Sequence, residues 1–235
     1  MTSGDTRLIS PKAFLIDALG TMVYLDPPAP RLRREIQERF GVEVSEDEAH
    51  AAMRAEIRHY RSNLQRGRDA DSLSELRGEC AAVLRDALPE RAQALPLDEL
   101  TDALVASLRF EPYDEVLGVL RALRERGHTI VVLSNWDFSL HEMLQRTGIT
   151  DLVDGAVSSA VHGTAKPDPG IFEHALALAE AQASEAVHVG DSPEADVVGA
   201  QAAGIEPIFV AREREDAPAG VRVIDDLTGL LELTR

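Results

Sequence analysis

Four short groups of residues in this 235-residue chain have types and positions suited to joint chemistry, and each follows a short apolar run. Asp17 follows Ala13-Phe14-Leu15-Ile16, and the pair Ser134-Asn135 follows residues 129–133. Lys166 stands in the loop after residues 153–157, and Asp191-Ser192 follows residues 186–189 and Gly190. Singly, each has an ordinary structural explanation. An Asp after a strand is a common turn or capping residue. Lys166 before Pro167 reads as a loop lysine, and Ser192-Pro193 as a helix start with Ser at the N-cap and Pro at the first helical position. Together they define a site, because ligands of an open parallel sheet sit beyond the carboxyl ends of its strands. Two carboxylates meeting there repel unless a cation intervenes. A divalent ion plus one lysine would neutralise Asp17 and Asp191 and leave attraction for a small anionic substrate. Ser134 offers a hydroxyl, and Asn135 a backbone N–H, to phosphate oxygens.

The elements that must position these residues follow from periodicity. Residues 13–16 read as a buried strand, 18–21 as a turn, 22–25 as a short extended piece and 26–30, with three prolines, as a stiff breaker. Residues 31–110 show helical periodicity and no strand. A helix over 31–40 closes at Gly41, and Ser45 with Glu48 forms a capping-box pattern. That box opens a long helix with Ala49, Met53, Ile57, Tyr60 and Leu64 on one face. Two more helices are predicted over 72–88 and 97–108. From Tyr113 onward helices (116–126, 138–147, 168–180, 194–203) alternate with strands (129–133, 153–157, 186–189, 208–210). A last strand and helix fall at 221–224 and 227–233. This alternation predicts an α/β fold, a doubly wound, mostly parallel sheet with a Rossmann-like core. The core would comprise residues 1–25 and 111–235, with an all-α domain, 26–110, inserted after the first strand.

Composition narrows the partners. With 44% hydrophobic and 28% charged residues the chain is of ordinary globular type. Acidic residues outnumber basic ones 41 to 24, a formal charge of -17 that repels nucleic acid and anionic membrane alike. No run approaches the ~20 apolar residues of a membrane span, and residues 1–10 lack the apolar core of a signal peptide. Cys80 is the only cysteine, so no intramolecular disulfide forms; a reducing, cytoplasmic setting is expected. The expected partners are a small anionic substrate and, at most, a second copy in a homodimer.

The series Phe14-Leu15-Ile16-Asp17-Ala18-Leu19-Gly20-Thr21, Leu133-Ser134-Asn135, Lys166-Pro167-Asp168-Pro169 and Val189-Gly190-Asp191-Ser192 with Asp196 resembles the haloacid dehalogenase-like hydrolase superfamily in order and spacing. The resemblance runs from Ala13 to about Val210, and the helical block resembles that superfamily's cap domain. It implies that Asp17 is the nucleophile, forming a covalent intermediate. It further implies that Asp17, the Leu19 carbonyl and Asp191 ligate Mg²⁺, with Asp196 as a second-shell or water-mediated partner of the metal. Ser134 and the Asn135 amide would hold the transferring group, and Lys166 would brace the nucleophile and the developing charge.

One position departs from the family's phosphatases. They carry a second Asp two residues after the nucleophile, as acid and then base; here it is Leu19. Loss of general acid–base help typically costs ~10²–10⁴-fold. Either turnover is slow, the leaving group needs no proton, or another residue substitutes. The 2-haloacid dehalogenase branch expels halide without an acid, but replaces the metal Asp by a Ser-Ser-Asn-type loop, whereas this chain has Gly190-Asp191-Ser192. The phosphonate-cleaving branch needs a cap lysine, and the chain's two lysines, Lys12 and Lys166, both lie outside 31–110. The expected activity is thus a Mg²⁺-dependent phosphatase of a small phosphorylated metabolite. The alternatives are a metal-independent 2-haloacid dehalogenase and a binding or regulatory protein left inactive by Leu19. In the cap, Arg58 and Arg61 are the candidate substrate contacts; on the plainer reading Tyr60 faces a core and the arginines face water. Trp136 and Asp137 are candidates to line an entrance, and His162 and His188 are read as structural.

Overall fold

The computed structural model describes residues 11–212 and 217–234; the expectations for residues 1–10 lie outside them. The first apolar run becomes β1 (Ala13–Ile16), every residue of it fully buried. It is one of the two central strands of a six-stranded sheet ordered β5-β4-β1-β6-β7-β8. The others are β4 (Thr129–Ser134), β5 (Gly155–Ser158), β6 (Ala186–Gly190), β7 (Glu206–Val210) and β8 (Arg222–Ile224), and every pairing is parallel. The chain steps from β1 to β4 and β5 on one side, then returns to add β6 on the other. Ile16 therefore pairs with Val132 and with Val189, and the ends of β1, β4 and β6 lie side by side. A crevice at such a reversal of strand order is where open α/β sheets bind ligands.

Helices cover both faces, as parallel strands with no polar alternation require. α5 (Val116–Glu125) buries Val116, Val119, Leu120 and Leu123, a helical stripe packed on β4. Leu15, Val131, Leu133 and Val157 pack instead against Ile171, Phe172 and Ala175 of α8 (Pro169–Leu178). The remaining core helices are α6 (Leu140–Arg146) and the short α7 (Ser159–His162) and α9 (Gly199–Ala202). The stretch expected as one helix over 194–203 begins as a π-helical segment, Pro193–Val198, before α9. The final segment, Leu227–Glu232, is 3₁₀ rather than α-helical.

A second compact unit comprises Leu25–Glu111 with Trp136–Phe138. Its helices are α1 (Pro28–Phe40), α2 (Glu46–Asn63), α3 (Ala70–Ala87) and α4 (Leu97–Ser107). Leu32, Ile36, Met53, Leu76, Cys80, Leu84, Leu100 and Leu104 form its core. The Ser45–Glu48 box closes as read, with Glu48 N donating to Ser45 Oγ and Ser45 N to Glu48 Oε2. Two readings of this block change. The proline-rich breaker is in part the start of α1, because Pro at N1 lacks only an N–H that has no helical partner there. The run assigned no strand ends in one, β3 (Arg109–Pro112), which pairs with β2 (Val23–Asp26) in a separate two-stranded sheet. At four residues, with Phe110 its one large apolar residue, β3 is too short for its alternation to stand out. Among the described residues no helix is long and apolar enough to cross a membrane.

Candidate active site

Asp17 is placed by the sheet itself: its N–H donates to Val189 O at 2.9 Å, continuing the β1–β6 ladder beyond β1. Asp17 is 6% exposed. Two donors share Oδ1, Ser134 Oγ at 3.0 Å and Lys166 Nζ at 2.7 Å. Burial pushes the Asp17 carboxyl up to about 6; the charge of Lys166 opposes this and those of Asp196 and Asp191 add to it.

Lys166 is held from both ends. Its backbone exchanges two hydrogen bonds with the Asn135 side chain, Lys166 N donating to Oδ1 at 2.8 Å and Nδ2 donating to Lys166 O at 3.0 Å. Its ammonium lies between Asp17 and Asp196, 2.5 Å from Asp196 Oδ1. Burial works against its charge, but the two carboxylates outweigh burial and hold the Lys166 pKa above its ordinary value.

Asp196 is more fully committed than its sequence position implies. Oδ1 accepts from Lys166 and lies 2.9 Å from His188 Nε2, while Oδ2 accepts from Ser192 N at 2.9 Å. Burial alone would raise its pKa; Lys166 and His188 outweigh that and hold it below the usual carboxylate range. The π-helical turn delivers this side chain, and Gly190 makes room for it: a Cβ at Gly190 would fall 2.2 Å from Asp196 Cγ. His188, on the same face of β6 two residues earlier, is fully buried and packed edge-on against Phe172. Its tie to Asp196 was not readable from the motifs; the one signal is a polar residue within an otherwise apolar central strand.

Asp191, at the end of β6, meets the turn after β1. Gly20 has φ 83°, and a Cβ there would fall 2.4 Å from Asp191 Oδ2. Ligand atoms of Asp17, Asp191 and Asp196 lie within 4.8 Å of one another, a group that could hold a metal ion. The donors are hard oxygens, and both oxygens of Asp196 already have partners within the protein. One or two carboxylates with water and substrate oxygens is the usual provision for Mg²⁺, so the residues fit that ion. Leu19 is 39% exposed and presents no titratable group. Asp168, within the lysine motif, caps α8 by accepting from Gly170 N.

The structure brings Asp17, Ser134, Asn135, Lys166, Asp191 and Asp196 together in the α/β unit. Arg58 and Arg61 are exposed on α2 of the helical unit. Trp136 and Asp137 pack rather than line an entrance. Both are buried, with Trp136 against the Phe110 ring and Tyr60 Oη donating to Asp137 Oδ2 at 2.8 Å. His162 packs against the His174 ring.

The sequence pattern of haloacid dehalogenase-like hydrolases matches residues 11–204, most of the chain and all of this site. The chain belongs to that family. This hydrolase-family chain is 35% identical over 140 residues to a ribulose-1,5-bisphosphate 5-phosphatase of Halopiger xanaduensis, covering 58% of each. It is 34% identical over 155 residues to a phosphoserine phosphatase of Thermus thermophilus, covering 61% of this chain and 60% of that one. The chain spans about half the length of the curated relatives that it matches at 32% identity or better. A solved 2-haloacid dehalogenase from Pseudomonas syringae shares the fold at TM-score 0.67 and 25% identity, covering 95% of this chain and 97% of that one.

Proposed function

We propose that this protein is a Mg²⁺-dependent phosphatase of a small phosphorylated metabolite, acting through a phosphoaspartate on Asp17. The observation that carries the reading is Asp191, a second carboxylate at the end of β6, set against Gly20 and within reach of Asp17. Carboxylate oxygens this close to one another suit a divalent cation, which offsets their repulsion. Asp17, Asp191 and the Leu19 carbonyl would hold it, and Asp196 anchors Lys166. When bound, Mg²⁺ would supply positive charge to the phosphoryl oxygens and to the nucleophile's second oxygen.

An Asp17 carboxylate oxygen bonds to phosphorus as the ester O–P bond breaks, and the leaving oxygen takes its proton from a solvent water, since Leu19 has none to give; the hydroxide left is neutralised by the proton released in the second step. Ser134 Oγ and the Asn135 backbone N–H hold the phosphoryl oxygens, while Lys166 offsets their charge. Water then bonds to phosphorus, the Asp17–phosphorus bond breaks, and inorganic phosphate and a proton leave. The names of the two phosphatase relatives support a phosphate-ester substrate. The buried, unpaired Cys80 accords with a cytoplasmic setting.

A second reading, metal-independent 2-haloacid dehalogenase, is favoured by Leu19 and by the dehalogenase structural neighbour. There Asp17 would displace halide from carbon, with no proton needed by the leaving group. A screen of phosphorylated metabolites and 2-haloacids, each with Mg²⁺ and with chelator, separates the two. Phosphate release that needs Mg²⁺ and is lost in Asp17→Asn supports the first. Halide release unaffected by chelator supports the second.

A further inference from the structure

Arg212, just after β7, belongs to none of the motifs and has no role in the chemistry above. Its backbone has φ 41°, in the left-handed region that favours glycine. A side-chain-bearing residue persists there only when its surroundings hold it, and such positions cluster at functional sites. Here the side chain does the holding. Its guanidinium lies 3.3 Å above the centroid of the Tyr113 ring, which packs against Tyr24 at 5.1 Å. Nη2 donates to Glu115 Oε1 at 2.9 Å and to the Thr21 carbonyl, and Nε donates to the Gly20 carbonyl at 3.3 Å. Glu115 is fixed in turn by Leu227 N at 3.4 Å.

The two carbonyls that Arg212 holds are the two that follow Leu19. Gly20 N–H is fixed as well, donating to Val23 O at 2.8 Å, and the Gly20 Cα faces Asp191. The peptide carrying the Leu19 carbonyl is the one between Leu19 and Gly20, so clamping Gly20 at its N–H and its carbonyl sets that peptide's direction. A planar guanidinium can hold two carbonyls, a carboxylate and an aromatic face at once, which an ammonium cannot.

We propose that Arg212 is a positioning residue for the cation site: it holds the turn over residues 17–21 so that the Leu19 carbonyl and Asp191 face the same ion. This rests on the Mg²⁺ reading above. The test is Mg²⁺ titration calorimetry on the intact protein and on Arg212→Gln, Arg212→Lys and Arg212→Gly, with melting curves and amide hydrogen exchange at residues 20–23. Arg212→Gly relieves the backbone and keeps the test sound should Arg212→Gln fold poorly. The expected result is a Kd for Mg²⁺ raised about tenfold in the Gln and Gly variants, an intermediate value for Lys, and faster exchange at 20–23. Faster exchange with the Mg²⁺ Kd within about twofold of the unmodified protein would make Arg212 a structural clamp only and overturn the proposal. Failure of the unmodified protein itself to bind Mg²⁺ is a separate result. It would remove the metal reading, and this proposal with it.

Discussion

A carboxylate nucleophile must be dry enough to react and still reach its substrate. Asp17 meets the first demand by burial and by two donors on one oxygen, Ser134 Oγ and Lys166 Nζ. The residue this set lacks is a carboxylic acid to protonate the leaving group, because position 19 is an exposed leucine. Leu19→Asp places a carboxyl two residues from the nucleophile and leaves the backbone carbonyl in place. The variant is expected to gain at least about fivefold in turnover of alkyl phosphates, equivalent to ~1 kcal/mol of transition-state stabilisation. It should gain little on aryl phosphates, whose phenolate leaves unaided. A folded variant that gains nothing on any alkyl phosphate would show that the missing acid does not limit turnover. Asp17, Ser134 and Asp191 are legible in the sequence because a strand end fixes where each backbone goes, and Lys166 by its place in the loop that follows a strand. The side-chain role of Asn135 and the His188–Asp196–Lys166 chain are not, because each joins residues on separate elements. Such a bond depends on which loop bends toward which, and local periodicity carries nothing of that.

Among the elements, two tight passages shape the site: the turn after β1 and the end of β6, each crossed by a glycine where a neighbouring carboxylate needs the space. At Gly20 the constraint is double, a left-handed backbone and Asp191 against the Cα. Gly20→Ala is expected to destabilise the fold by roughly 1–2 kcal/mol from the backbone alone. For a chain of this size that lowers Tm by about 2–8 °C. Because the added methyl displaces Asp191, Mg²⁺ should no longer raise the melting temperature of the variant as it does that of the unmodified protein. Calorimetric melts with and without Mg²⁺ check both effects, and an undiminished Mg²⁺ effect would place the cation elsewhere. The strands and most helices are legible because buried parallel strands are continuous apolar runs and covering helices carry an apolar stripe. Three features escape that reading for separate physical reasons. α1 starts within the prolines, since the first turn of a helix tolerates them. β3 carries charge at alternate positions on too short a run, and the π-helical turn before α9 differs from an α-helix only in hydrogen-bond register.

For the molecule as a whole, acidic excess appears twice, in the formal charge of -17 and in the site, where carboxylate oxygens of Asp17, Asp191 and Asp196 lie close together and Lys166 pairs with Asp17 and Asp196. The site's excess is expected to destabilise the metal-free fold. The Asp17 pKa is raised in the folded protein, to about 6, so the fold binds more protons than the unfolded chain between the ordinary carboxylate value and 6. Stability from this group is therefore lost as pH rises through that window and stays lost above it. Metal-free Asp17→Asn is accordingly expected to melt about 2–6 °C above the unmodified protein at pH 7. The gap should narrow as pH falls below 6, and Mg²⁺ should stabilise the unmodified protein more than the variant. A lower melting temperature for Asp17→Asn at pH 7 would show that the Lys166 contact outweighs burial. Phosphorylation of Asp17 is read most directly from the intact mass of the protein after acid quenching. The protein is mixed with an aryl phosphate and Mg²⁺, quenched within the first turnover, and digested to locate any adduct. One phosphoryl group is expected on the peptide containing Asp17, accumulating because no base at residue 19 hastens its hydrolysis, and absent with chelator or in Asp17→Asn. Phosphate release with Asp17 unmodified, or an adduct that persists in Asp17→Asn, would contradict a phosphoaspartate on Asp17.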